Sequence, residues 1–122
     1  MILVDTSVWV DHLRRGDAPL AQRLLGGEVA THNFVIGELA LGGLRKRGGT
    51  LNLLRALPRL SSATDDEVLY FIEQRGLSGK GIGYVDAHLL AAVAMHGARL
   101  WTRDKRLHDI AEGHSWAFAP NH

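Results

Sequence analysis

The stretch Met1-Ile2-Leu3-Val4-Asp5-Thr6-Ser7 opens the chain and indicates its architecture. Its apolar residues follow one another without polar alternation, which is typical of a strand buried on both faces of a parallel sheet. Thr6 and Ser7 then offer hydroxyls that can cap a helix directly after the strand. A strand followed at once by a helix is the repeating unit of an α/β fold, and it places Asp5 at the carboxyl end of the first strand.

The rest of the chain continues this alternation of short apolar runs and amphipathic segments. Caps, glycine stops and apolar stripes predict helices at about 6–15, 18–25, from the Asn33 cap to 47, 51–57, from the Thr64 cap to 74, 84–96 and 105–112. Strands are predicted at 2–5, 29–31, 60–63, 99–102 and 115–119. The order of these elements predicts an α/β fold in which helices cover a parallel sheet.

The composition is that of a globular protein. The chain has 122 residues, 46% of them hydrophobic and 22% charged, which predicts a single domain, residues 1–122, with its own core. No apolar run approaches the roughly 20 residues that cross a bilayer, and the start lacks the basic leader of a signal peptide. The absence of cysteine excludes disulfides and thiolate metal sites, in keeping with a reducing compartment. We expect a soluble, cytoplasmic protein without a membrane span.

Four acidic residues lie at the ends of apolar runs or inside them: Asp5, Glu38, Asp86 and Asp104. Ligands of open parallel sheets bind beyond the carboxyl ends of the strands, where the following helices begin. All four carboxylates are expected to face one crevice there, and their mutual repulsion would require a cation. Oxygen ligands without cysteine or a histidine motif favour Mg²⁺ or Mn²⁺ over zinc. Such a site suits phosphoryl transfer to water, as in a nuclease or a phosphatase.

Each acidic residue, taken alone, also has a structural interpretation. Asp5 could be a helix cap, and Asp86 could complement a helix dipole. Glu38 could form a buried ion pair, and Asp104 could be a turn residue in a solvated loop. Only the coincidence of four at one predicted edge of the sheet favours the functional interpretation.

The net charge of +1 leaves any contact with nucleic acid to local basic clusters. Two such clusters are Arg45-Lys46-Arg47 and Arg103-Lys105-Arg106. Arg103, Lys105 and the 45–47 cluster are candidates for phosphate contacts, although solvated helix ends are the commoner structural role of such clusters.

Several segments together resemble the PIN domain of the VapC toxin family. They are Met1-Ile2-Leu3-Val4-Asp5-Thr6-Ser7, Glu38-Leu39, Val85-Asp86-Ala87-His88-Leu89-Leu90-Ala91-Ala92 and Leu100-Trp101-Thr102-Arg103-Asp104-Lys105-Arg106-Leu107. The segments cover essentially the whole chain in the expected order. The resemblance implies a three-layer α/β/α fold with a central parallel sheet of strand order 3-2-1-4-5.

The same resemblance implies a function and a set of site residues. It implies a Mg²⁺- or Mn²⁺-dependent endoribonuclease, the toxin of a type II toxin–antitoxin module, commonly a homodimer and inhibited by a VapB-type antitoxin. By this resemblance Asp5, Asp86 and Asp104 bind the metal, and Glu38 binds it or orients the attacking water. Supporting positions are Thr6, Ser7 and Thr102. The RNA would be tRNA or rRNA, cut to leave a 5′-phosphate and a 3′-hydroxyl.

Two alternatives of other classes stay open at the level of sequence. A phosphatase or phosphotransferase of the haloacid dehalogenase type would use Asp5 as a covalent nucleophile, but its second aspartate would stand at position 7, which is serine. A catalytically silent PIN-like binding module would keep the carboxylates only as caps. Mg²⁺-dependent cleavage of RNA would exclude both alternatives.

Overall fold

The computed structural model describes residues 1–43 and 47–120, without the side chain of Arg47, and shows the alternation of strands and helices that the sequence predicts. The elements in chain order are β1 Ile2–Val4, α1 Thr6–Arg15, α2 Ala18–Leu25, β2 Val29–Ala30, α3 Asn33–Leu41, α4 Arg47–Ala56, α5 Asp65–Arg75, α6 Tyr84–His96, β3 Arg99–Trp101 and α7 Lys105–Gly113. The predicted α/β class is confirmed.

A parallel sheet of three strands, in the order β2-β1-β3, forms the centre of the fold. Leu3 of β1 lies opposite Ala30 on one side and Leu100 on the other. All three residues of β1 are buried, as the unbroken apolar run predicts for a strand covered on both faces. The backbone N–H of Asp5 continues the pairing by donating to Trp101 O at 2.9 Å, so the ends of β1 and β3 are held side by side.

The two outer strands predicted at 60–63 and 115–119 are wrong. The structure has single bridges there instead, Thr31 with Arg59 and Leu100 with Ala117. Strand β2 is two residues long and cannot support a longer ladder beside it. The segment predicted as a strand at 115–119 begins with Ser115, whose left-handed backbone (φ 62°) interrupts an extended chain. The two bridges flank β2 and β3, where the order 3-2-1-4-5 would place its outer strands. Within the described residues, only the three strands β2-β1-β3 form the sheet, so the full order stays a prediction.

The boundary between α3 and α4 also differs from the prediction. Helix α3 ends at Leu41, because the next residue, Gly42, adopts an extended conformation with ψ 166°. Helix α4 begins at Arg47 and runs through Gly48 and Gly49, which the sequence analysis took as a helix stop. Leu54 of α4 is completely buried, and this packing offsets the low helix propensity of two glycines.

The start of α3 depends on a buried histidine rather than on Asn33. His32 is the N-cap, and its Nδ1 accepts a hydrogen bond from Phe34 N at 3.0 Å. The accepting nitrogen carries no proton, so in the neutral ring the proton lies on Nε2, which is 3.3 Å from Ser62 Oγ. His32 thereby fixes the orientation of the helix that carries Glu38.

Helix α6 passes through the core and gives Asp86 a rigid base. Its residues from Ala87 to Val93 are all buried. Leu89, Leu90, Ala92 and Val93 belong to the main apolar core with residues such as Trp9, Leu20 and Leu100, while Ala87 and Ala91 pack in a second cluster with Ala63 and Val68. An apolar helix of this kind is typical of the centre of a domain. Within the described residues, no helix has both the length and the apolar character to span a membrane.

Lowering the pH from about 6.5 to about 4 is expected to destabilise the fold through His32. Burial, followed by the charges of His88 and His96, lowers the pKa of His32 from 6.5 to about 4. The unfolded chain therefore takes up the proton first, and the free energy of unfolding falls over this interval by about 3 kcal/mol from this residue alone. Urea denaturation at a series of pH values measures the fall.

The matched control is His32→Asn, whose side-chain oxygen can still accept from Phe34 N but does not titrate. The variant should lose stability at all pH values because it fills less of the site. Its additional loss between pH 6.5 and 4 should be smaller than that of the wild type. If the free energy of unfolding fell by the same amount between pH 6.5 and 4 in the two proteins, that result would contradict a neutral, buried His32.

Candidate active site

The four acidic residues singled out in the sequence lie together at the carboxyl edge of the sheet. Asp5 directly follows β1, and Asp104 lies between β3 and α7. Asp86 is in the first turn of α6, and Glu38 is within α3. The pKa of Asp86 is raised by burial of its carboxyl group, and the negative charges of Asp5, Asp104 and Glu38 raise it further, while a hydrogen bond from Gly83 opposes the shift. The four carboxylates therefore form one electrostatic cluster.

Two hydroxyl groups hold the buried side chain of Asp5, which is 8% exposed. Ser7 Oγ and Thr102 Oγ1 each donate to Asp5 Oδ2, both at 2.7 Å. Ser7 Oγ accepts from Arg103 N at 3.0 Å, and Thr102 Oγ1 accepts from Asp104 N at 3.1 Å. Because each hydroxyl oxygen accepts a hydrogen bond from a backbone N–H group, its own proton is free to point at Asp5 Oδ2. Both hydroxyl protons are thus directed at the same carboxylate oxygen.

This arrangement argues against the structural interpretation of Asp5. The residue occupies the N-cap position of α1, but its carboxylate makes no capping hydrogen bond. A buried carboxylate that is not used as a cap, and that receives two directed hydroxyls, resembles a preorganised ligand.

The other three carboxylates each accept one hydrogen bond from the described residues. Glu38 Oε1 accepts from Thr6 Oγ1 at 2.8 Å. Asp86 Oδ2 accepts from Gly83 N at 3.2 Å, and Asp104 Oδ1 caps α7 by accepting from Leu107 N at 3.0 Å. Asp86, considered from the sequence as a complement to a helix dipole, and Asp104, considered as a turn residue, each make a capping contact at the start of a helix. That contact occupies one oxygen of each.

Each carboxylate of the cluster keeps its second oxygen without a hydrogen bond from any described residue. These atoms are Asp5 Oδ1, Glu38 Oε2, Asp86 Oδ1 and Asp104 Oδ2. One oxygen orients each side chain, and the other remains available to a ligand. Four available carboxylate oxygens at one edge of the sheet are suited to a hard divalent cation.

The donor set fits an ion that retains part of its water shell. Among the described residues, no three histidine or acidic side chains are close enough to one another to hold an ion by direct contact alone. Mg²⁺ usually keeps several waters and takes one or two carboxylates directly. The cluster therefore fits Mg²⁺ or Mn²⁺ better than zinc, whose protein sites are built mainly from histidine and cysteine.

The basic residues considered as RNA contacts are less free than the sequence indicates. Arg103 forms ion pairs with both Asp11 and Asp17, and Lys105 Nζ lies 3.2 Å from Asp109 Oδ2. Contacts of Arg103 and Lys105 with RNA stay predictions, and an RNA phosphate would have to compete with these ion pairs. Arg45 and Lys46 lie outside the described residues, as does the side chain of Arg47.

The link between Arg103 and two acidic residues is a feature that the sequence analysis missed. Burial acts to raise the pKa of Asp17, but the hydrogen bonds from Arg103 and Leu20 N and the charges of Arg103 and His12 together outweigh it and hold that pKa below its usual value. Asp17 also caps α2 by accepting from Leu20 N at 3.0 Å. The Asp17-Ala18-Pro19 start of α2 could have indicated the cap, but no local pattern indicates a partner at position 103.

Comparisons with known proteins agree with this fold. The family model of the PIN domain matches residues 2–113. Over 108 residues the chain is 54% identical to Ribonuclease VapC32 of Mycobacterium tuberculosis, which covers 88% of this chain and 87% of the relative.

Two solved structures share the fold at low sequence identity. A toxin–antitoxin complex from Klebsiella pneumoniae contains a chain that matches with a TM-score of 0.73 and 18% identity, over 98% of both chains. PAE2754 from Pyrobaculum aerophilum matches with a TM-score of 0.68 and 19% identity, over 96% of this chain and 87% of that protein. These two structures show the fold alone. The match to the PIN domain model and the 54% identity to VapC32 show that the chain belongs to the PIN domain family and, within it, to the VapC proteins.

Proposed function

We propose that the protein is a VapC toxin that hydrolyses RNA phosphodiester bonds as a Mg²⁺- or Mn²⁺-dependent endoribonuclease. The observation that carries the proposal is the cluster of four carboxylates, each with one oxygen fixed inside the protein and the other available. The name of its 54% identical relative, a ribonuclease, supports RNA as the substrate.

The proposed ligands of the cation are Asp5, Asp86 and Asp104, which would hold it directly or through water molecules. A divalent cation bound there would offset the charge of the phosphate and lower the pKa of a water molecule. The raised pKa of Asp86, caused first by burial and then by its acidic neighbours, supports this role, because closely spaced carboxylates favour binding of positive charge. Ser7 and Thr102 keep Asp5 oriented whether or not a cation is bound.

Glu38 is proposed to orient the attacking water. Its side chain is exposed, and the hydrogen bond from Thr6 at 2.8 Å holds Oε1. Oε2 can then accept a hydrogen bond from water. Attack of this water on phosphorus, with departure of the 3′-oxygen, would leave a 5′-phosphate and a 3′-hydroxyl. We propose tRNA or rRNA as the substrate class.

A small VapB-type antitoxin is the proposed inhibitory partner. The solved structure from Klebsiella pneumoniae with the same fold is a toxin–antitoxin complex, which supports a module of this kind. We further propose that the toxin acts in the cytoplasm as a homodimer.

The phosphotransferase alternative receives no support. Ser7 stands where that mechanism needs a second aspartate, and its hydroxyl donates to Asp5 Oδ2. Only a measurement of activity distinguishes the proposed enzyme from a catalytically silent binding module. The variants described below provide that measurement.

Asp5→Asn is expected to lower RNA cleavage by at least about hundredfold, because an amide cannot replace the buried carboxylate as a cation ligand. Cleavage of a tRNA and rRNA mixture with Mg²⁺, with Mn²⁺ and with EDTA measures the effect. Asp66→Asn is the matched control, because Asp66 is an exposed residue of α5. Undiminished metal-dependent cleavage by a folded Asp5→Asn variant would contradict the proposal.

Thr102→Val is expected to weaken Mg²⁺ binding and cleavage by about 10- to 100-fold, because it removes a hydroxyl that orients Asp5. The apparent Mg²⁺ affinity, obtained from rates at a series of Mg²⁺ concentrations, is the decisive measurement. Thr31→Val is the matched control, since Thr31 is also buried and its Oγ1 has no hydrogen-bond partner within the described structure. Equal Mg²⁺ affinities for the two variants would contradict an orienting role of Thr102.

A further inference from the structure

Arg106 crosses from α7 to the loop that leads into α6. A β-carbon on Gly81 would lie 2.7 Å from Arg106 Nη1 and 3.1 Å from its Cδ. Gly81 has a backbone φ of +81°, which glycine adopts without strain. The arginine side chain therefore lies directly over the loop backbone, in space that a side chain at position 81 would fill.

Arg106 and Gly81 each lie a few residues along the chain from a member of the acidic cluster. Arg106 is in the first turn of α7, which Asp104 caps. Gly81 lies shortly before Gly83, whose N–H binds Asp86. The arginine thus connects the segments that supply two of the four carboxylates.

Arg106 differs from its basic neighbours in having no acidic partner in the part of the chain that the structure describes. Arg103 is paired with Asp11 and Asp17, and Lys105 with Asp109. The side chain of Arg106 is exposed and makes no hydrogen bond or ion pair with any described residue. It does not neutralise the carboxylates beside it, so its charge remains available to a ligand.

An RNA strand that approaches four carboxylates is repelled and needs a compensating positive charge nearby. A guanidinium presents a planar fork of donors that matches a phosphate, and contact with the loop backbone reduces the freedom it would lose on binding. Lys80 is in the same loop, but its side chain makes no described hydrogen bond or ion pair that would orient it.

We propose that Arg106, held over Gly81, binds a backbone phosphate of the RNA strand next to the phosphate that is cleaved. This inference rests on the proposed ribonuclease function and adds to it a substrate-binding residue. The contact positions the strand across the acidic cluster and carries no base preference, because phosphates are common to all sequences.

Binding of a fluorescein-labelled single-stranded RNA of mixed sequence, measured in EDTA by anisotropy, tests the proposal without cleavage. Arg106→Gln should weaken binding about tenfold at low salt. It should also make the slope of log K against log salt concentration shallower by about 0.7, the value for one lost phosphate contact on a single strand. Arg99→Gln is the matched control, because Arg99 is exposed at the opposite end of β3 and should bind RNA as the wild type does.

A second pair of variants tests the position of the guanidinium while keeping its charge. Gly81→Ala would displace Arg106, whereas Gly79→Ala meets no atom within 4 Å. Both glycines have positive φ, +81° and +74°, so both substitutions strain the backbone to a similar degree. Thermal unfolding measures that common effect. Weaker RNA binding by Gly81→Ala than by Gly79→Ala is the expected result.

The outcomes separate this inference from the proposed function. Wild-type binding by Arg106→Gln, with metal-dependent cleavage intact in the wild type, would overturn the role of Arg106 and leave the ribonuclease proposal standing. Unchanged RNA binding together with weaker binding of the cognate antitoxin would assign Arg106 to a protein partner and would also overturn it. A wild type that neither binds nor cleaves RNA would overturn both.

Discussion

The two hydroxyl hydrogen bonds on Asp5 Oδ2 join the sheet to the acidic site. Ser7 belongs to α1, Thr102 follows β3, and the backbone N–H groups of Arg103 and Asp104 direct both hydroxyls. The same two strand ends are paired through Asp5 N and Trp101 O at 2.9 Å. The register of β1 against β3 and the orientation of the buried carboxylate therefore depend on each other, and a shift of one would disturb the other.

The rest of the cluster is built on elements whose positions the core determines. Asp86 precedes seven consecutive buried residues of α6, and Glu38 is on a helix whose start is held by the buried ring of His32. Packing of these helices offsets the repulsion that raises the pKa of Asp86. Holding like charges close together is unfavourable in the protein alone, and a cation would relieve it, which is common at functional sites.

The sequence predicts those parts of the structure whose signals are local. The unbroken apolar run before Asp5 indicates a buried strand, and alternating elements bring the four acidic residues to one sheet edge. The segments at 60–63 and 115–119 resemble strands in composition. The structure forms a single bridge beside the first, at Arg59, and a single bridge within the second, at Ala117. The extent of pairing depends on the neighbouring strand rather than on the segment itself. The capping role of His32 and the extra helix turn at Gly48–Gly49 likewise depend on tertiary packing. The pairing of Arg103 with Asp11 and Asp17, and the contact of Arg106 with Gly81, join positions distant in the chain and have no local pattern.

The central claim is that Asp5, Asp86 and Asp104 bind a divalent cation at the carboxyl edge of the sheet. The most direct measurement is anomalous X-ray scattering from crystals of the protein soaked in Mn²⁺, because Mn²⁺ scatters anomalously and shares the oxygen ligands of Mg²⁺. We expect an anomalous peak among these three carboxylates in the wild type, and no such peak in crystals of the Asp5→Asn variant. A fully soaked wild-type crystal with no peak at this edge, or with its peak elsewhere, would contradict the account.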